Sequence, residues 1–123
     1  VNFLPLEAAE LVAAVGGSSG KDIDKFQRFK IAKVEPVKTS VPILEVAYGA
    51  YECKLVDDLG YGEHRWLVGD VVAVHLKTGV LATGETLDLS KVSPVLYLGN
   101  DLYVTSASES MRHLDREEYG KVS

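Results

Sequence analysis

Residues 51–76 run YECKLVDDLGYGEHRWLVGDVVAVHL, from Tyr51 to Leu76. From Tyr48 to Val56 the side chains alternate, with Tyr51, Cys53 and Leu55 on one face and Ala50, Glu52, Lys54 and Val56 on the other, the period of a half-buried strand. Asp57 to Gly62 (DDLGYG) is rich in turn formers and predicts a hinge, and Trp66 to Leu76 is a valine-rich strand. The two strands predict an antiparallel hairpin. Gly69 inside the second strand has no side chain to pack, so it marks a bulge, a barrel corner or a close approach.

Outward from this hairpin, Lys33 to Pro42 contains Pro36 and Pro42 and predicts an irregular connection or an edge strand. Gly79 to Gly84 predicts a turn, Leu87 to Val92 a short helical turn capped near Asp88 or Ser90, and Val95 to Leu98 a final short strand ending at Gly99-Asn100. Ser108 to Tyr119 carries Met111 and Leu114 at helical spacing among charges and predicts a peripheral helix. Towards the N-terminus, Pro5 and Glu7 suit a first helical turn, and Ala8, Leu11, Val12 and Val15 form one apolar stripe. Gly16-Gly17 ends that helix through a left-handed glycine, and Asp22 caps a second one with Ile23, Phe26 and Phe29 or Ile31 inward. Many antiparallel strands with small helices predict a mainly β, α+β, barrel-like domain.

The loop GGSSGKD at residues 16–22 superficially resembles a phosphate cradle, but it is not a Walker loop. Val15 stands five before Gly20, Asp22 replaces the Ser/Thr, and a helix precedes it where a strand is required. As a helix-to-helix turn it needs no ligand.

With 123 residues, 46% of them hydrophobic, the chain suits one globular domain with a modest core. A net charge of −5 argues against nucleic acid, whose phosphates need a concentrated basic surface. No apolar run is long enough to cross a bilayer and no signal peptide is visible, so no membrane association is expected. The single Cys53 reads as a small buried hydrophobe in a reducing, cytoplasmic compartment; a redox thiol has no CxxC partner to support it. His75 and His113 lack metal-like spacing with Cys53 or each other, so no metal is expected. The chain opens at Val1 without methionine, from which loss of an upstream piece is expected.

Several segments, in order, together resemble the flavin reductase-like, FMN-binding split-barrel family. Val1-Asn2-Phe3 is similar to the family's VVN strand, and Ser19-Gly20 through Asp24-Lys25-Phe26 to its SG…DKF segment. Glu52-Cys53-Lys54 is similar to its ECK strand, and Gly62-Glu63-His64 with Gly69-Asp70-Val71-Val72 to GDH…GEV. Ser93-Pro94-Val95-Leu96-Tyr97-Leu98-Gly99, followed by Tyr103, resembles PLLYLGG…Y. The resemblance implies an antiparallel split β-barrel with short peripheral helices, working as a homodimer with FMN near the subunit interface. It also implies hydride transfer from NADH or NADPH to flavin, for which no side chain need act as nucleophile or base.

It further implies an N-terminally incomplete single domain over residues 1–123, because the family's chains open with strands whose Ser, Thr and Asn residues grip the cofactor. Ser19 and Lys25 are implied at the FMN phosphate, although from the residues alone Lys25 reads as an exposed helical lysine beside Asp22 and Asp24. Phe26 is implied nearby, while its spacing from Ile23 reads as core. His64 is implied beside the nicotinamide or isoalloxazine, or else is a hairpin-edge histidine, and Glu63 departs from the family's Asp. Tyr97 and Tyr103 are implied near the ring system or the dimer interface, although packing alone accounts for them nearly as well. Trp66 reads as core or subunit contact. Two other activities fit the same residues: a non-enzymatic FMN-binding or electron-transfer protein, and a flavin-free dimerisation module.

Overall fold

The computed structural model describes residues 1–83 and 85–121. The alternating stretch forms β4 (Gly49–Tyr61) and β5 (His64–Leu76), which pair antiparallel along their whole length. β1 (Asn2–Phe3) adds to the base of β4, giving the order β1-β4-β5. Two ribbons complete the strands: β2 (Lys33–Val34) with β3 (Ile43–Leu44), and β6 (Val95–Gly99) with β7 (Leu102–Thr105). Helices are short: α1 (Ala9–Gly16) after a 3-10 turn at Leu6–Ala8, α2 (Lys25–Arg28) and α3 (Arg116–Tyr119). The chain is therefore mainly β with small helices, and the described strands do not close on themselves.

The core sits at the hairpin's base. Ala8, Ile43, Ala47, Ala50, Val80 and Val92 are buried there, all small or branched, so neighbouring backbones approach closely. The Asn2 side chain accepts the Leu44 N–H at 3.0 Å, tying β3 to the base. The N-terminal segment also carries the second ribbon, through Leu6 N–H to Ser93 C=O and Val95 N–H to Leu4 C=O.

Several boundaries differ from those predicted. Asp57 to Tyr61 is strand, not hinge, and the chain reverses at Gly62-Glu63 alone. Gly62 takes φ +62° while Glu63 does not take positive φ, as a two-residue turn of type II′ requires. Gly69 pairs with Leu55 beside a register shift, and a Cβ there would lie 3.2 Å from both the Cys53 Cβ and the Lys54 carbonyl oxygen. It therefore serves a bulge and a close approach together.

Gly17 ends α1 at φ −78°, not left-handed; the Ser18 hydroxyl takes over by donating to the Ala14 and Val15 carbonyls. Asp24, not Asp22, caps α2, its carboxylate accepting from Phe26 and Gln27 N–H. Asp88 caps the turn before Val92, as expected. Part of the Gly79–Gly84 turn is seen at Thr78-Gly79, and Gly84 lies outside the described residues.

Val95–Gly99 is not the last strand. It turns at Asn100-Asp101, both at positive φ, into β7. The C-terminal segment is helical only at Arg116–Tyr119, after a 3-10 turn at Ser108–Ser110, and Met111 and Leu114 are exposed. Cys53 is half-buried and Trp66 is 64% exposed, so neither belongs to the core of this chain. The buried face of β4 is that of Ala50 and Glu52. No helix is long and apolar enough to cross a membrane among the described residues.

Candidate functional site

Three regions carry the residues expected to touch a ligand. The first is the α1–α2 loop. The Lys25 ammonium reaches back to the Val15 carbonyl at 2.7 Å, satisfying one of the last acceptors of α1. That uses one of its three donors. Ser19 is exposed and its hydroxyl oxygen accepts the Lys21 N–H at 3.3 Å, leaving its own hydrogen to donate. Phe26 is half-buried with the Lys33 ammonium 4.9 Å from its ring centre. Because the Asp24 carboxylate already occupies the first amides of α2, an anion here depends on Lys25 and Ser19, not on the helix start.

The β6–β7 ribbon supplies the second region. Tyr97 and Tyr103 are cross-strand partners with ring centres 5.2 Å apart, and the Tyr97 hydroxyl accepts the Asp101 N–H at 3.3 Å. They open onto a cleft of about 340 Å³ shared with Phe3, Val12, Tyr48 and Leu96. Burial holds the Tyr48 phenol above its usual value, so it stays protonated. Val12 belongs to α1, and Val15, which holds Lys25, lies about 4.5 Å further along that helix axis at 1.5 Å per residue. An aromatic cleft and a cationic donor thus flank one helix, the pairing that a ligand with a flat apolar ring and an anionic tail requires. These residues fit such a group.

His64 does not join them. It begins β5 opposite Tyr61, at the hairpin tip. From Ala50 to Tyr61 the strand covers roughly 36 Å at about 3.3 Å per residue, so the imidazole stands far from the base where the cleft lies. Two of the three regions adjoin α1, one through Val12 and the other through the Val15 carbonyl.

A fourth feature lies outside all the candidate residues. Glu52 is 3% exposed, and its carboxylate accepts the N–H groups of Val37, Lys38 and Thr39 at 2.7–2.8 Å. His75 Nε2 lies 2.6 Å from the same carboxylate. Burial works to raise the Glu52 value, but the Val37 amide, His75 and the other two amides outweigh it and hold the carboxyl at about 2. The available signal was a lone carboxylate on the Ala50 face of an alternating strand, followed 23 residues later by His75.

The family model described as Flavin reductase like domain matches residues 1–106. Among solved structures, the chain is similar to an FMN-binding protein from Thermus thermophilus with bound 1-cyclohex-2-enone, at 34% identity and a TM-score of 0.77. That match covers 91% of this chain and 60% of that one. Flavoredoxins from Desulfovibrio vulgaris (Miyazaki F) and Methanosarcina acetivorans share the fold, at 21% and 20% identity and TM-scores of 0.78 and 0.80. Each match covers 98% of this chain and 63% of the other. The chain therefore spans about 60% of the length of the structures it matches.

Proposed function

Since the chain belongs to the flavin reductase like domain family, we propose that it works as a noncovalent FMN flavoprotein of the split-barrel fold, passing hydride from NADH or NADPH to flavin. The observation that carries this reading is the pairing of the Tyr97/Tyr103 cleft with the Lys25 ammonium along α1. FMN supplies the redox chemistry when bound. The chain's own residues bind and orient. Lys25 gives its two remaining N–H donors to the phosphate and Ser19 adds a hydroxyl donor, with Phe26 behind them. Tyr97 and Tyr103 offer apolar faces to the ring, and Tyr48, kept neutral, excludes water without adding charge.

The working form is a cytoplasmic homodimer. Its support is the β4–β5 hairpin, whose Leu59, Tyr61, Trp66, Leu67 and Val71 are exposed by 42–65%. A two-stranded ribbon is marginal alone, and a second copy would cover it. Such a copy would also carry its hairpin tip to the other chain's cleft, which is how His64 would reach the nicotinamide side.

Incubating the protein with FMN, desalting, and following NADH and NADPH oxidation spectrophotometrically tests the reading. Retained flavin absorbance with steady oxidation of either donor is expected; a colourless protein after desalting contradicts it. A second reading, an FMN-binding electron-transfer protein without nicotinamide activity, is favoured by Glu63 in place of the family's Asp beside His64. Retained flavin with no oxidation of either donor selects it.

A further inference from the structure

Glu52 and His75 form a dyad on the inward face of β4 and β5 that the proposed flavin chemistry does not use. With three backbone N–H donors on it, the Glu52 carboxylate stays ionised and only accepts hydrogen bonds. The hydrogen in the 2.6 Å contact therefore belongs to His75 Nε2, and in the neutral ring the lone pair sits on Nδ1. Nδ1 has no hydrogen-bond partner among the described residues, and the His75 side chain is 27% exposed.

His75 lines a cleft of about 240 Å³ whose apolar wall is Val34, Ile43, Leu44 and Leu76 and whose charged members are Glu45 and Lys77. A cavity of about 150 Å³ lined by aliphatic and aromatic side chains accommodates benzene, so this space suits one substituted ring. An Nδ1 lone pair presented to that cleft would select a hydrogen-bond donor. It disfavours a carbonyl, which presents only lone pairs, and the one carboxylate and one ammonium of the lining, Glu45 and Lys77, offset each other, which suits a neutral ligand.

We propose that this cleft is a binding site for a small neutral phenol, whose ring packs on Ile43, Leu44 and Leu76 and whose hydroxyl donates to Nδ1 of His75. Glu52 is the positioning residue: it fixes the tautomer that makes Nδ1 an acceptor. Tyr48 borders both this cleft and the aromatic one, so binding is tested on the flavin-free chain.

NMR on the ¹⁵N-labelled 123-residue chain tests it at about pH 8. The unliganded spectrum should show His75 with its hydrogen on Nε2. Phenol should then shift His75 Nδ1 and the amides of Ile43, Leu44 and Leu76, binding roughly fivefold to tenfold more tightly than toluene, as one net hydrogen bond of about 1–1.4 kcal/mol implies. Benzoate should leave these signals in place. His75→Phe should abolish the preference for phenol over toluene. That variant also strips Glu52 of a partner and risks the fold, so the toluene comparison on the unsubstituted chain decides alone. A hydrogen on Nδ1, unshifted amides with phenol, or equal affinity for toluene overturns the proposal.

Discussion

Glu52 illustrates how one residue can organise a segment that has no regular structure. The connection between β2 and β3 contains two prolines and little strand pairing, yet three consecutive amides of it converge on one carboxylate. The folded value of about 2 lies below the ordinary 4.5, so the stability this group contributes is complete above about pH 4.5 and is lost as pH falls towards 2. Glu52→Gln presents an N–H₂ to amide donors. Its melting temperature should fall below that of the parent at pH 7, with the gap closing near pH 2, and exchange of the Val37, Lys38 and Thr39 amides should quicken at least tenfold. Equal melting at pH 7 contradicts this account. Lys25→Ala removes a charge-assisted donor, and isothermal titration should show FMN affinity down roughly tenfold; unchanged affinity removes Lys25 from the site. The family resemblance made Lys25 legible in the sequence, but its bond to Val15 was not, because that contact spans a loop and uses a carbonyl every residue possesses. The amides that hold Glu52 were hidden for the same reason.

At the scale of elements, the hairpin was legible from period-2 alternation, and its length was not. Asp57-Asp58-Leu59-Gly60 has turn composition, but cross-strand pairing overrides it, helped by the Arg65–Asp58 ion pair at 2.7 Å. β7 was missed because Gly99-Asn100 looked like a strand end; Asn100-Asp101, two residues that tolerate positive φ between VLYLG and LYVT, are equally the signature of a tight reversal. The capping error at α2 is two residues wide, and both candidates were aspartates. Gly69→Val puts a branched side chain where a Cβ already meets Cys53 and the Lys54 backbone, and backbone cannot yield cheaply. Urea unfolding should show a loss of about 1–3 kcal/mol; an unchanged midpoint contradicts the close approach. Asp24→Ala removes the only side-chain cap of a four-residue helix, for an expected loss of about 1 kcal/mol with faster exchange at Phe26 and Gln27.

Across the whole molecule, the core is confined to the hairpin's base while the outer half of β4 and β5 exposes apolar side chains. Composition announced a modest core, but no local pattern tells a strand face that packs inside its own chain from one that packs on another. Trp66 is such a case, since only the three-dimensional position of β5 shows it outside the core. If a second copy covers this surface, Trp66→Asp with Leu59→Glu should convert a dimer to a monomer by light scattering, and His64 should leave the nicotinamide side with it. A wild-type chain that is monomeric at all concentrations contradicts the homodimer.

The most direct test of the central claim is the absorbance spectrum of the purified protein between about 300 and 550 nm, recorded after FMN addition and desalting, for the parent and for Lys25→Ala side by side. The account predicts flavin bands retained by the parent and depleted in the variant. A parent that emerges colourless would contradict it.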